Sequence, residues 1–426
     1  MRKIISLNKG WFFEKREFVT TTWPGDQGLI DLPHTWNNLD GQDGGGDYWR
    51  GKATYTRKLE IEKRSDEAYI LEINGCGNSA DVYLNGMRLA HHDGGYSTFR
   101  VDMTAVLNDG ENLLSVIADN GESERVYPQA ADFTFYGGLY RDVNLIIFSS
   151  RHFELIKDGT PGIRVTPVCK GTDYEVRVDT WQNGGRVKIT VNQQEKLVDS
   201  REGCASAEFL LQNARLWDGL DDPYLYDASA QLLNEDGTVL DEISARFGCR
   251  SFAIDPQKGF FLNGRPYPLR GVSRHQDRTG VGNALTCQMH EEDFAIIREM
   301  GANSIRLAHY QHDQYFYDLC DRYGIITWAE IPYISAHMEQ GRENTLSQMK
   351  ELITQNYSHA SIVVWGLSNE ITMQGMPAGL MDNHIAIKEL VHQMDPTRPT
   401  VMAHVSMLDI DDPIVRFPYA AAYNVY

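Results

Sequence analysis

Short runs of apolar residues broken by single polar ones dominate the first 150 positions. Tyr69-Ile-Leu-Glu-Ile73, Leu113-Leu-Ser-Val-Ile117 and Val143-Asn-Leu-Ile-Ile147 are too short for helices and rich in strand formers. Asp81-Val-Tyr-Leu84 and Met87-Arg-Leu89 flank Asn85-Gly86. An Asn-Gly pair supplies the two positive-φ positions of a type I′ turn, so a hairpin is expected there. No sustained helical period occurs in this region. Residues 1–150 are expected to form an antiparallel sandwich of jelly-roll type.

A second strand-rich block, 151–255, contains Tyr174-Glu-Val-Arg-Val178, Val187-Lys-Ile-Thr-Val191 and Ala228-Ser-Ala-Gln-Leu-Leu233. Short strands at regular spacing over about 100 residues suit an immunoglobulin-like sandwich. After Asp255-Pro256 the period changes. Phe260-Phe-Leu-Asn-Gly264 reads as one more hairpin, and then strands alternate with helices. Strands are expected at 267–272, 303–309, 325–332, 362–367, 400–404 and 420–426. After the first of them, Phe294, Ile297 and Met300 mark a helix that Gly301 can close, and Asp313 caps a helix ending at Gly324. Helices are also expected over 345–357 and 383–394. Six βα units in series over 256–426 predict a (β/α)8 TIM barrel, incomplete in this chain. A doubly wound sheet is disfavoured because no glycine-rich phosphate loop follows a strand.

Barrel enzymes build their sites at the C-terminal ends of the strands. Those ends carry Arg274-His275, Arg306, His309-Tyr310, Trp328, Glu330, Ser368-Asn369-Glu370, His404 and Tyr426. Carboxylates and amides hydrogen-bond hydroxyls, and aromatic faces stack on sugar rings. Each residue also has a plain structural reading. Glu330 could merely hold Arg306, and a lone histidine at a strand end is often structural. His309 and His312 are three apart with no third ligand at helical spacing, so no metal site is expected. Glu370 differs, because it emerges from the apolar run 362–367, where a carboxylate needs a reason.

Composition narrows the function further. The 426 residues carry 40 basic and 59 acidic side chains, a net charge of −19, which disfavours a nucleic-acid partner. No apolar run approaches a membrane span, and residues 1–7 are too short for a secretory core, so a cytoplasmic protein is expected. The six cysteines are widely scattered without a CxxC pair and read as reduced thiols.

Four segments together resemble glycoside hydrolase family 2. Asn303-Ser-Ile-Arg-Leu-Ala-His-Tyr310 with Asp321-Arg-Tyr-Gly324 resembles its first signature. Ser361-Ile-Val-Val-Trp-Gly-Leu-Ser-Asn-Glu370 resembles the acid/base signature. Asp132-Phe-Thr-Phe-Tyr-Gly-Gly-Leu-Tyr-Arg141 resembles the N-terminal segment that reaches toward the sugar, and Leu32-Pro-His-Thr-Trp36 is also typical. There are departures: Tyr357-Ser-His-Ala-Ser361 stands where Arg-Asn-His-Pro-Ser is usual, and Gln311 replaces a proline.

The resemblance implies retaining hydrolysis of a β-glycoside, with Glu370 as acid/base and no cofactor. It implies that Asn369 meets the 2-hydroxyl, that His309, His275 and Asp132 hold the sugar, that Glu330 lines the pocket, and that Tyr426 stands beside the nucleophile. The family's nucleophile lies on a seventh strand, so the 426 residues alone are expected to be inactive. The implied partner is a small carbohydrate, and assembly into dimers or tetramers is common in the family. Terminal β-galactosides are the expected substrates. β-Glucuronides are the alternative within the family, and a non-catalytic fragment is the alternative outside it.

Overall fold

The computed structural model describes residues 2–42 and 48–425. Two antiparallel sheets form the first unit. One orders Lys3–Ser6, Val143–Ser149, Glu67–Ile73 and Phe99–Asp102, and the other orders Phe12–Glu14, Lys52–Ile61, Gly110–Asp119, Ser79–Leu84 and Met87–Asp93. Their inward positions, among them Trp11, Tyr55, Leu71 and Val116, make one core. Asn85 and Gly86 take φ of 53° and 82° between paired Leu84 and Met87, as the hairpin requires.

The second unit has seven strands in two sheets. Ile163–Lys170, Asp173–Trp181 and Cys204–Leu211 face Gln194–Asp199, Arg186–Val191, Tyr226–Leu233 and Val239–Phe247. Strict alternation of buried and exposed residues along Cys204–Leu211 marks a sheet packed on one face.

The third unit is a parallel sheet of six strands: β1 (Gly271–Arg274), β2 (Ser304–Leu307), β3 (Ile326–Glu330), β4 (Ile362–Asn369), β5 (Thr400–Val405) and β6 (Ala420–Asn424). Its spatial order follows the sequence throughout. A doubly wound sheet would reverse direction part-way, so this is the curl of an incomplete (β/α)8 barrel. Helices α1 (Cys287–Glu299), α2 (Gln314–Tyr323), α3 (Arg342–Asn356) and α4 (Leu380–Met394) cover its outside. Asp313 accepts from the Tyr315 amide at the start of α2, and Gly324 ends it at φ 76°. The hairpin residues Phe260 and Leu262 pack with Ile326, Val364 and Val401 near the strand starts, plugging the barrel's N-terminal end. The opposite rim carries the C-terminal ends of the six strands. No helix among the described residues is long and apolar enough to cross a membrane.

Candidate active site

Arg306, on the inner face of β2, organises the rim. Its Nε and Nη2 donate to Glu330 at 3.1 and 3.0 Å, Nη2 also to Asn369 Oδ1 at 2.7 Å, and Nη1 to Asn424 Oδ1 at 3.0 Å. Its guanidinium lies 4.5 Å from the Trp328 ring centre. Glu330 is 1% exposed. Burial alone would raise its carboxyl, but the Arg306 charge and the bond from His309 outweigh that and hold it below the usual range. His309 Nδ1 lies 2.7 Å from Glu330 Oε1 and 3.2 Å from Arg306 Nη2, which turns Nε2 away from this pair.

On β4 the register against β5 slips by one residue between Gly366 and Ser368. The slip re-aims the side chains at the strand's end. Ser368 turns outward to His384 Nε2 on α4 at 2.9 Å, while Asn369 meets Arg306 inside. Glu370 then takes φ of 46°, a left-handed conformation that a non-glycine residue adopts at some cost, and is 8% exposed. Asn424 at the end of β6 donates from Nδ2 to Glu370 Oε1 at 2.8 Å and to Asn369 Oδ1 at 3.0 Å. With two donors on Asn369 Oδ1, its amide hydrogens are what it offers a ligand.

The far wall comes from the jelly roll. The loop carrying Asp132 reaches the barrel rim, where Phe133 packs 4.9 Å from His275 and 6.1 Å from His309 between ring centres. Asp132 itself is exposed, and its charge acts on His275. Burial first, and His309 second, push His275 down to about 4, so it is a neutral imidazole at working pH. Its Nδ1 lies 3.2 Å from Tyr310 Oη. The loop is tied down by Tyr136 Oη, which donates to Asp277 at 3.0 Å, and by Arg141 Nη2, which donates to the Gln311 carbonyl at 3.0 Å.

Glu370, Asn369, His309 and Glu330 thus form one hydrogen-bonded cluster, with His275 and Asp132 at its edge. Glu330 is enclosed beneath Arg306 rather than presented to a ligand. Tyr426 lies outside the described residues. Two residues expected at the rim face the helices instead. Arg274 bonds Asp293 at 2.6 Å and lies 4.0 Å over Phe316. His404 is level with Tyr423, which packs into the core under the helices, and the rings are 5.9 Å apart. Side chains alternate along a strand, so the residue before each of these is the inward one. Asn424 and Phe133 do not stand out in the sequence. Asn424 falls inside the strand expected at 420–426, with nothing local to set it apart. Phe133 has only its adjacency to Asp132.

The described domain order matches three family models: "Glycosyl hydrolases family 2, sugar binding domain" over 47–148, "Glycosyl hydrolases family 2" over 165–250, and "Glycosyl hydrolases family 2, TIM barrel domain" over 253–425. The solved structure of an FMN-binding β-glucuronidase from Facaelibacterium prausnitzii L2-6 superimposes on all of this chain and 67% of that one, at TM-score 0.93 and 40% identity. The chain belongs to glycosyl hydrolase family 2. A β-glucuronidase of Bacteroides fragilis is 39% identical over 94% of this chain and 61% of its own length. A β-galactosidase of Thermoanaerobacterium thermosulfurigenes is 30% identical over 94% of this chain and 58% of its own. This family 2 chain therefore spans about three fifths of the length of these two curated relatives.

Proposed function

We propose that this chain forms the sugar-holding, acid/base part of a retaining β-glucuronidase. The observation that carries the reading is Glu370: a carboxylate at the C-terminal end of a fully buried barrel strand, held by Asn424 and flanked by Asn369. In this reading Glu370 protonates the glycosidic oxygen and later takes a proton from the water that attacks the glycosyl-enzyme. Asn369 donates to the 2-hydroxyl. His309 presents Nε2 to a sugar hydroxyl, neutral His275 adds an uncharged contact, and Asp132 closes the pocket from the jelly roll.

Retention needs a second carboxylate about 5–5.5 Å from the acid. Glu330 is a poor candidate, because its oxygens already accept from Arg306 and His309. The relatives are longer than this chain, which leaves room for the attacking carboxylate elsewhere in a whole enzyme.

The sequence motifs favour β-galactosides as substrates. The relatives support glucuronides better, since the two at 39% and 40% identity are named β-glucuronidases and the β-galactosidase matches at 30%. That β-galactosidase supports galactosides as the second reading. Assaying the full-length protein on 4-nitrophenyl β-glucuronide and β-galactoside separates them. A higher kcat/KM on the glucuronide, by at least about tenfold, is expected. The reverse order would favour the second reading, and no turnover of either would remove both.

A further inference from the structure

Two guanidinium groups meet on one oxygen at the start of β4. Arg250 Nη2 donates to the Ile362 carbonyl at 2.6 Å, and Arg398 Nε donates to the same carbonyl at 2.9 Å. Arg250 Nε also donates to the Ala360 carbonyl. The carboxylate beside them, Asp395, accepts from Arg398 Nη1 at 2.7 Å and is shared with Trp365 and Thr397. Asp321 is taken by His359 at 2.7 Å. Among the described residues Arg250 therefore has no carboxylate partner, and its Nη1 bonds none of them. Burial first, and the Arg398 charge second, push Arg250 down to about 9.

Both arginines line a cavity of about 190 Å³ between the second unit and the barrel. No aspartate or glutamate lines it, in a chain whose net charge is −19. Three hydroxyl residues on its walls have hydrogens to give. The Ser251 backbone is fixed on both sides by Asn263, at 2.9 and 2.8 Å, and its hydroxyl bonds none of the described residues. Ser358 Oγ accepts from the Val165 amide at 3.2 Å, and Tyr357 Oη accepts from Thr166 at 3.2 Å, so each keeps its own hydrogen. Tyr357, Ser358 and Ala360 are the three positions at which Tyr357-Ser-His-Ala-Ser361 departs from Arg-Asn-His-Pro-Ser, and all three line the cavity. The cavity is thus built from residues particular to this chain.

A half-buried cation without a counter-charge is costly, and a guanidinium fork matches an oxyanion. We propose that this cavity binds a tetrahedral oxyanion, either free phosphate or the phosphate group of a small monoester. Arg250 Nη1 and the hydroxyls of Ser251, Ser358 and Tyr357 donate to it, and Arg398 adds its charge. The bound anion ties the end of the second unit to the start of the strand whose other end carries Glu370.

Equilibrium dialysis of the full-length protein against radiolabelled phosphate, in chloride buffer of constant ionic strength, tests the site. At saturation the wild type should hold one more phosphate per chain than Ser251→Asp, whose carboxylate takes the ligand's place beside Arg250. Ser251→Ala breaks no bond among the described residues, so it keeps the fold, and it should weaken binding about tenfold. Glycerol 3-phosphate that displaces the label assigns the site to a monoester, and failure to displace it assigns free phosphate. Equal phosphate counts in the wild type and Ser251→Asp, or a Ser251→Ala variant that binds as tightly as the wild type, would overturn the site. Either result leaves the proposed function standing, because no step of it uses these residues.

Discussion

Asn424 and Glu370, 54 positions apart in sequence, share a hydrogen bond of 2.8 Å in which the amide donates to one carboxylate oxygen. The same amide group holds Asn369 at 3.0 Å and accepts from Arg306 at 3.0 Å. One asparagine on β6 thus fixes the acid/base on β4 through two bonds and ties both to β2. Glu370 needs such support, because its backbone sits in the left-handed region.

Asn424→Ala should therefore lower kcat/KM of the full-length enzyme by about ten- to a hundredfold. Because it acts through Glu370, adding it to Glu370→Ala should cost little more than Glu370→Ala alone. Losses that simply add in the double variant would mean that Asn424 acts independently.

Glu330 is the buried partner of Arg306 and His309. Glu330→Gln leaves the guanidinium without its counter-charge, and a broken buried pair typically costs about 3–5 kcal/mol. Urea denaturation followed by tryptophan fluorescence should show a loss of that order. Unchanged stability with abolished turnover would instead place Glu330 against the sugar.

Asp132 lies on the exposed tip of a loop whose anchors are Tyr136 and Arg141. Asp132→Asn should lower kcat/KM roughly tenfold and leave stability within about 0.5 kcal/mol. A drop in the melting temperature with turnover intact would make the residue structural.

Stability should fall on acidification. Burial pushes His34, His275, His290 and His384 down to about 4, and His312 well below its ordinary value. Between pH 6.5 and 4 the unfolded chain binds protons at these positions and the folded chain does not, so stability drops as pH falls through that window. His92 and His359 are buried too, which would lower them, but Glu351 and Asp321 beside them raise them overall, so they work in the opposite sense. Burial also lowers His337 and His404, and seven depressed histidines against two raised ones predict a lower thermal midpoint at pH 4.5 than at pH 7. A flat or rising midpoint toward acid would contradict this balance.

What the sequence discloses here is mostly local. The Asn85-Gly86 hairpin, the Asp313 cap and the Gly324 terminus each depend on a few neighbouring residues, and each is seen where the pattern puts it. Glu370 is legible because a carboxylate at the end of a wholly apolar strand is costly without a purpose. Strand-end position alone misleads at Arg274 and His404, because one residue of register decides which face a side chain takes. Arg306 and Glu330 are 24 positions apart and Phe133 and His309 are 176 apart, and no local signal announces such pairs.

Azide rescue probes Glu370 as the acid/base of a retaining β-glycosidase most directly. A Glu370→Ala variant loses the base that activates water, whereas azide needs none. Full-length Glu370→Ala enzyme should therefore regain turnover of an activated aryl glycoside when sodium azide is added, and the product should be the β-glycosyl azide. No recovery, or an α-glycosyl azide, would contradict the assignment.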